Sequence, residues 1–175
     1  KLSPAVAVEK AREALALAEK NDDPTKYVVA SSQQLLAQLL WRDNQTNEAE
    51  ALLKAAINTI EKSNESEIAL ALSKTLTVLA RLQTSQKRSV EAEVIYKRVI
   101  ELQEKQADPN VPALIETLTR LENLYSFELR NQRNAEYDAL LRRKLALQEK
   151  QYGPEHVDVA ATLYSLASHL SLQGL

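Results

Sequence analysis

Chemistry in this 175-residue chain would have to start from two imidazoles, 24 carboxylates and 22 cations. His156 lies in Gly153-Pro154-Glu155-His156-Val157-Asp158, beside two carboxylates. A metal ion needs three or four converging ligands, so His156 reads instead as a residue at the start of a helix. His169 stands where other segments carry Leu39, Leu82 and Leu124, and reads as a tolerated substitution in the last helix. Glu48/Glu50 and Glu91/Glu93 are separated by two positions, which on a helix turns them to different faces. A general acid–base pair needs convergence in a water-excluding pocket. There is no Gly-rich phosphate loop, no nucleophile elbow and no cysteine. The expectation is a non-catalytic protein with no cofactor and no metal.

Composition narrows the class further. The 22 basic and 24 acidic residues nearly cancel, so nothing global calls for nucleic acid or an anionic membrane. Arg142-Arg143-Lys144 is a short basic run expected on a solvated helix face. No apolar run reaches the length of a membrane span. The chain begins at Lys1, so a targeting segment can have been removed; a cytoplasmic compartment is expected over a periplasmic or extracellular one. Only two glycines and five prolines are present, too few for the frequent turns of a sandwich or barrel. The abundant Ala, Leu, Glu, Gln, Lys and Arg are good helix formers.

The elements that would carry these residues repeat. Asn47-Glu48-Ala49-Glu50-Ala51-Leu52-Leu53, Val90-Glu91-Ala92-Glu93-Val94-Ile95-Tyr96 and Arg133-Asn134-Ala135-Glu136-Tyr137-Asp138-Ala139 are spaced by one period, with Ala49, Ala92 and Ala135 as anchors. A fixed period in this range marks stacked helical units, each burying its apolar face on its neighbours. Eight helices are predicted, at about 4–20, 24–42, 46–62, 65–84, 89–105, 109–129, 133–150 and 154–173. Short links make successive helices antiparallel. Pro4, Pro24, Pro109, Pro112 and Pro154 fall near helix starts, and Ser3, Asp23 and Asp108 are candidate caps. Asn47 with Glu50 and Asn64 with Glu67 have capping-box spacing, and Gly153 is a candidate helix terminator.

The helices alternate between two types. A-type helices contain Leu36-Ala37, Leu79-Ala80, Leu121-Glu122 and Leu166-Ala167; B-type helices carry the anchor alanines. Alanine at a fixed helix position lets the paired helix approach closely. Glu122 breaks that rule, and the link from it to Ala135 is one residue longer than its counterparts.

These positions resemble the tetratricopeptide repeat (TPR), in the longer form of about 42 residues found in kinesin light chains and many bacterial proteins. The stretch from Tyr152 to Ala167 is similar to the light-chain pattern Gly-Pro-Asp/Glu-His-Pro-Asp-Val-Ala followed by Thr-Leu, a polar pair and Leu-Ala, with Val157 in place of proline. Ala92-Glu93-Val94-Ile95-Tyr96-Lys97-Arg98 is similar to the second-helix pattern Ala-Glu-Pro-Leu-Tyr-Lys-Arg. HEAT-like and armadillo-like solenoids have overlapping periods and are the alternative. The resemblance implies an all-α, right-handed α-α superhelix of about eight antiparallel helices. It divides one domain, 1–175, into a partial unit at 1–21, units at about 22–64, 65–107 and 108–152, and a partial unit at 153–175, as in a fragment of a longer array.

The resemblance also implies that A-type helices line a concave groove. Counting by helical spacing assigns to it Ser31, Gln34, Leu35, Gln38, Trp41 and Arg42 from the first unit, and Lys74, Thr77, Val78, Arg81 and Ser85 from the second. The third contributes Glu116, Thr119, Arg120, Asn123 and Phe127, and the last Ala161, Tyr164, Ser165 and Ser168. The candidate partner-binding residues are Gln34, Gln38, Arg42, Lys74, Arg81, Arg120, Asn123 and Tyr164. Four cations among amides and hydroxyls suit a peptide of acidic character. Trp41 is either an anchor for such a partner or a packing residue. The polar pairs after Thr-Leu lack the asparagines common in light chains, which argues against the same cargo. A self-associating scaffold using exposed repeat ends, or a regulatory domain of a larger enzyme or signalling protein, are the other readings.

Overall fold

The structure, a computed structural model, describes residues 4–20, 26–62, 68–129 and 132–174. Eight α-helices follow one another: α1 Pro4–Lys20, α2 Lys26–Arg42, α3 Thr46–Glu61, α4 Ile68–Ser85, α5 Ser89–Glu104, α6 Val111–Phe127, α7 Asn134–Tyr152 and α8 Val157–Leu172. No strand occurs among the described residues. The chain forms two compact units, Lys1–Ile95 and Tyr96–Leu175. In the first, α2 packs on α1, α3 and α4, and α3 packs on α4. In the second, α7 packs on both α6 and α8.

Buried alanines on facing helices let the helices of the first unit pack closely. Ala37, Ala49, Ala56 and Ala80 are all fully buried, with Leu36, Leu40, Leu53 and Leu82 filling the space around them. The α2–α3 and α4–α5 turns are built alike. Asn44 and Lys87 adopt left-handed backbone at φ 64° and 62°. The following amides of Gln45 and Arg88 then each donate 2.9 Å bonds back to the carbonyls of Leu40 and Gln83. Carbonyls left over at the helix ends are thereby satisfied.

The second unit departs from the sequence-derived register. Ala49 and Ala92 each donate a backbone bond to the N-terminal flanking residue four positions earlier, Gln45 and Arg88. In α7 the residue that does this is Tyr137, bonded to Arg133 at 2.8 Å. Ala135 is exposed and Tyr137 is buried, so the tyrosine, not Ala135, takes the anchor position. From Ala37 to Ala49 and from Ala80 to Ala92 is twelve positions; from Glu122 to Tyr137 is fifteen. The third link is therefore three residues longer, not one.

Several helix starts also differ. The cap of α6 is Asn110, whose side chain accepts from the Ala113 amide at 3.0 Å, with Pro112 in the first turn; Asp108 lies outside the helix. Asn47 is inside α3, which starts after Gln45 without a side-chain cap. Pro154 and Glu155 form a turn before α8, and His156 is its cap. Gly153 terminates α7 at φ 88° as expected. Ser3, Asp23, Pro24 and the Asn64/Glu67 pair lie outside the described residues.

Candidate functional site

In the first unit the facing sides of α2 and α4 enclose an open cavity of about 290 Å³. Ser31, Gln34, Leu35, Gln38 and Lys74 line it, all counted to this face from the sequence. Gln34 is held in place by a bond to its side-chain oxygen from the Thr75 hydroxyl, 2.8 Å away. Thr75 and Tyr27 also line the cavity, and neither was assigned there. The 43-residue period carries Gln34 to Thr77, two positions beyond its actual partner, which is why Thr75 was missed. Thr77 spends its hydroxyl on the Ser73 carbonyl at 2.7 Å. Val78, expected in the groove, is buried instead.

Toward the end of α2, the guanidinium of Arg81 lies 5.5 Å from the centre of the half-buried Trp41 ring. Trp41 thus packs and supports a cation at once. Lys74, Arg81 and Arg42 are exposed, and none pairs with a carboxylate among the described residues.

The second unit has a different character. A cavity of about 300 Å³ between α6 and α8 is lined by Asn123, Phe127, Tyr164, Ser165 and Ser168, again residues counted to this face. Phe127 is 81 % exposed and Tyr164 76 %. The cation expected here is engaged: Arg120 pairs with Glu116 one turn away on its own helix. Ala167, treated as equivalent to the buried Ala37 and Ala80, is exposed. Leu163 and Leu172 are exposed as well, and Leu166 and Leu170 half-buried.

Beneath this cavity lies a polar seam. Glu122, at a position held by alanine in the first unit, forms a buried ion pair with Lys144 of α7. Gln148 accepts a buried 2.7 Å bond from Thr162 of α8. Two residues of the basic run on α7, Arg142 and Arg143, are exposed as expected, and the third, Lys144, is not. Arg142 pairs with Asp138 and Arg143 with Glu104, while Lys144 points inward. The sequence held part of the signal: a carboxylate at a buried position needs hydrogen bonds or a paired cation, which points to the facing helix without saying which of its basic residues turns inward.

Both histidines are structural. His156 Nδ1 accepts from the Asp158 amide at 3.2 Å, capping α8. His169 is buried, with Nε2 3.2 Å from the Asn134 carbonyl and its ring 4.7 Å from that of Tyr137. Tyr125 meets Tyr137 edge-on from the other side. No three His, Asp or Glu residues converge among the described residues, and no described helix is long and apolar enough to cross a membrane.

With this architecture in view, solved structures supply the comparison. Over 98% of its length the chain superimposes, at a TM-score of 0.78 and 24% identity, on 79% of a Podosopora anserina protein described as a kinesin light chain with nearly identical TPR-like repeats. A single-substitution form of that protein gives a TM-score of 0.77 over the same share of each chain, also at 24% identity. The fold is that of a TPR-like repeat array. BtubC (BKLC) from P. vanneervenii matches at a TM-score of 0.71 and 14% identity, covering 99% of this chain and 68% of the other. No protein-family model and no curated protein matches the chain. Such low identities establish a shared architecture; what the chain binds has to be read from its own side chains.

Proposed function

We propose that the chain is a non-catalytic protein–protein interaction scaffold that binds a peptide or partner protein of acidic character on its A-type helices. One observation carries the reading. Lys74 and Arg81 stand exposed on one face of α4, without carboxylate partners among the described residues, beside amides from α2 that line an open cavity. Cations left unpaired in a fold whose other basic side chains repeatedly find carboxylates form a surface ready for anions. The TPR-like architecture supports a scaffold, since it offers extended surface rather than an enclosed reaction chamber.

The test is a selection from a random nonapeptide display library on the immobilised chain, run beside a Lys74→Glu/Arg81→Glu variant checked for intact helix content by circular dichroism. Enrichment of Asp and Glu on the wild type, lost on the folded variant, is expected. Enrichment that ignores carboxylates, or that survives the double reversal, would overturn the acidic reading.

A further inference from the structure

We infer that His156 is a proton-operated cap for α8. While neutral it holds the Asp158 amide; once protonated it lets that amide go and takes the Asp158 carboxylate instead, loosening the helix start in mild acid. Three observations in the turn between α7 and α8 carry this. His156 Nδ1 accepts from the Asp158 amide at 3.2 Å. The same nitrogen lies 3.6 Å from Asp158 Oδ2. The imidazole is 40 % exposed, so water can deliver the proton.

The material of the cap sets α8 apart. Asn110 caps α6 through an amide oxygen, which accepts at any pH. The starts of α3 and α7 have no side-chain cap. An imidazole nitrogen accepts only while it carries no proton, so the capping ring keeps its one hydrogen on Nε2. A proton taken from water puts N–H on both nitrogens. Nδ1 then meets the Asp158 amide as donor against donor, and that bond breaks. The carboxylate of the same residue is an acceptor within reach of a small rotation. Histidine is the side chain whose ordinary charge change falls between about pH 5 and 8.

The surroundings keep the ring in place while its bonding inverts. From α7 the Tyr152 ring lies 4.8 Å away, tilted by 32°. The last turn of that helix also carries exposed Glu149 and Lys150, opposite in sign. Glu155 precedes His156 in the turn, and Asp158 faces it from α8. An aromatic ring and carboxylates can receive an imidazolium, against the positive end of the α8 dipole. The next amides stand apart from the exchange, since Val159 and Ala160 donate to the His156 carbonyl at 3.0 and 3.2 Å. Proton control is therefore confined to the first turn. α8 is also the helix that brings Tyr164, Ser165 and Ser168 to the cavity beside α6, so the cap governs how firmly the start of that wall is held.

The experiment is nitrogen-15 NMR of the whole chain between pH 7.5 and 5, reading the imidazole tautomer and the exchange protection of individual amides. His156→Asn, checked for helix content by circular dichroism, identifies the His156 ring signals against those of His169 and supplies a cap that accepts at any pH. At pH 7.5 the His156 ring should carry its hydrogen on Nε2. Through the titration of that ring, protection of the Asp158 amide should fall about fivefold, the size of a typical cap, while Val159 and Ala160 hold. In His156→Asn the step should vanish. A ring with its hydrogen on Nδ1 at neutral pH, an Asp158 amide indifferent to the titration, or the same step in His156→Asn would each overturn the inference. The tautomer and the wild-type step need no variant.

Discussion

Replacing one alanine by glutamate at position 122 changes what the neighbouring helix must supply. Glu122 is buried, and Lys144 answers it from α7. Desolvating two charges offsets most of their attraction, so the pair adds little net stability while making each partner indispensable. Lys144→Met alone should destabilise the fold by about 3–5 kcal/mol, because Glu122 is stranded. Glu122→Leu combined with Lys144→Met should recover most of that loss, as measured by urea denaturation. Glu50 provides the pH-dependent counterpart. Its carboxyl is held below the ordinary range chiefly by the hydrogen-bonded Arg88 guanidinium, with Lys54 assisting and burial opposing. A depressed folded value means that its stabilising effect is present at neutral pH and is lost as pH falls through the carboxylate range. The melting-temperature gap between wild type and Glu50→Gln should therefore be open at pH 7 and closed near pH 2. At this scale the sequence was half legible. Residues that line the α2 and α4 cavity, such as Gln34, Gln38 and Lys74, could be counted to one face from helical spacing, whereas Val78 and Lys144 were placed on the wrong side because burial depends on which face of a helix meets its neighbour.

Elements were the most readable level, and their ends the least. All eight helices lie where apolar residues recurring at helical spacing put them, since that periodicity is the direct imprint of one buried face. Their starts shifted by up to three residues. Proline marks the neighbourhood of a helix start, but the first hydrogen-bonded residue depends on which side chain reaches back, Asn110 for α6 and His156 for α8. Asn110→Ala should remove about 1 kcal/mol by freeing the Ala113 amide, detectable as a lowered urea midpoint. The α4–α5 turn allows a paired comparison. Lys87 holds a left-handed conformation that a side chain disfavours, where the equivalent Asn44 is better suited. Lys87→Asn, which keeps a side chain while suiting the left-handed backbone as Asn44 does, should destabilise less than Lys87→Ala in the same assay. The misplaced anchor has its own physical cause. Ala135-Glu136 copies the alanine–glutamate signature, but three additional linker residues delay the helix, and Tyr137 reaches the packing position.

Across the whole molecule, charges are balanced and several exposed ones are paired, as in Arg12–Glu48, Lys10–Glu13 and Arg142–Asp138. Exposed pairs of this kind contribute little, and salt screens them. Raising sodium chloride from about 0.05 to 0.5 M should move the melting temperature only slightly, yet weaken capture of an acidic peptide several-fold. The repeat architecture was legible in the first unit, where the spacing from Ala37 to Ala49 recurs from Ala80 to Ala92, and misleading in the second, where Tyr137 displaces Ala135. The partner was not legible, because specificity resides in the exposed side chains that the period leaves free to vary. The two matching turns have a consequence for how such a chain can grow or be rebuilt. Residues 40–49 and 83–92 share length, backbone conformation and hydrogen bonding, so the turn backbone of one can stand in for the other wherever the local packing side chains, Leu40, Trp41 and Arg88, are kept. The segment leading to Tyr137 is longer and ends in a ring cluster, so the same exchange there would shift α7 along its neighbours. Duplication or recombination is thus permissive at one end of this protein and restrictive at the other.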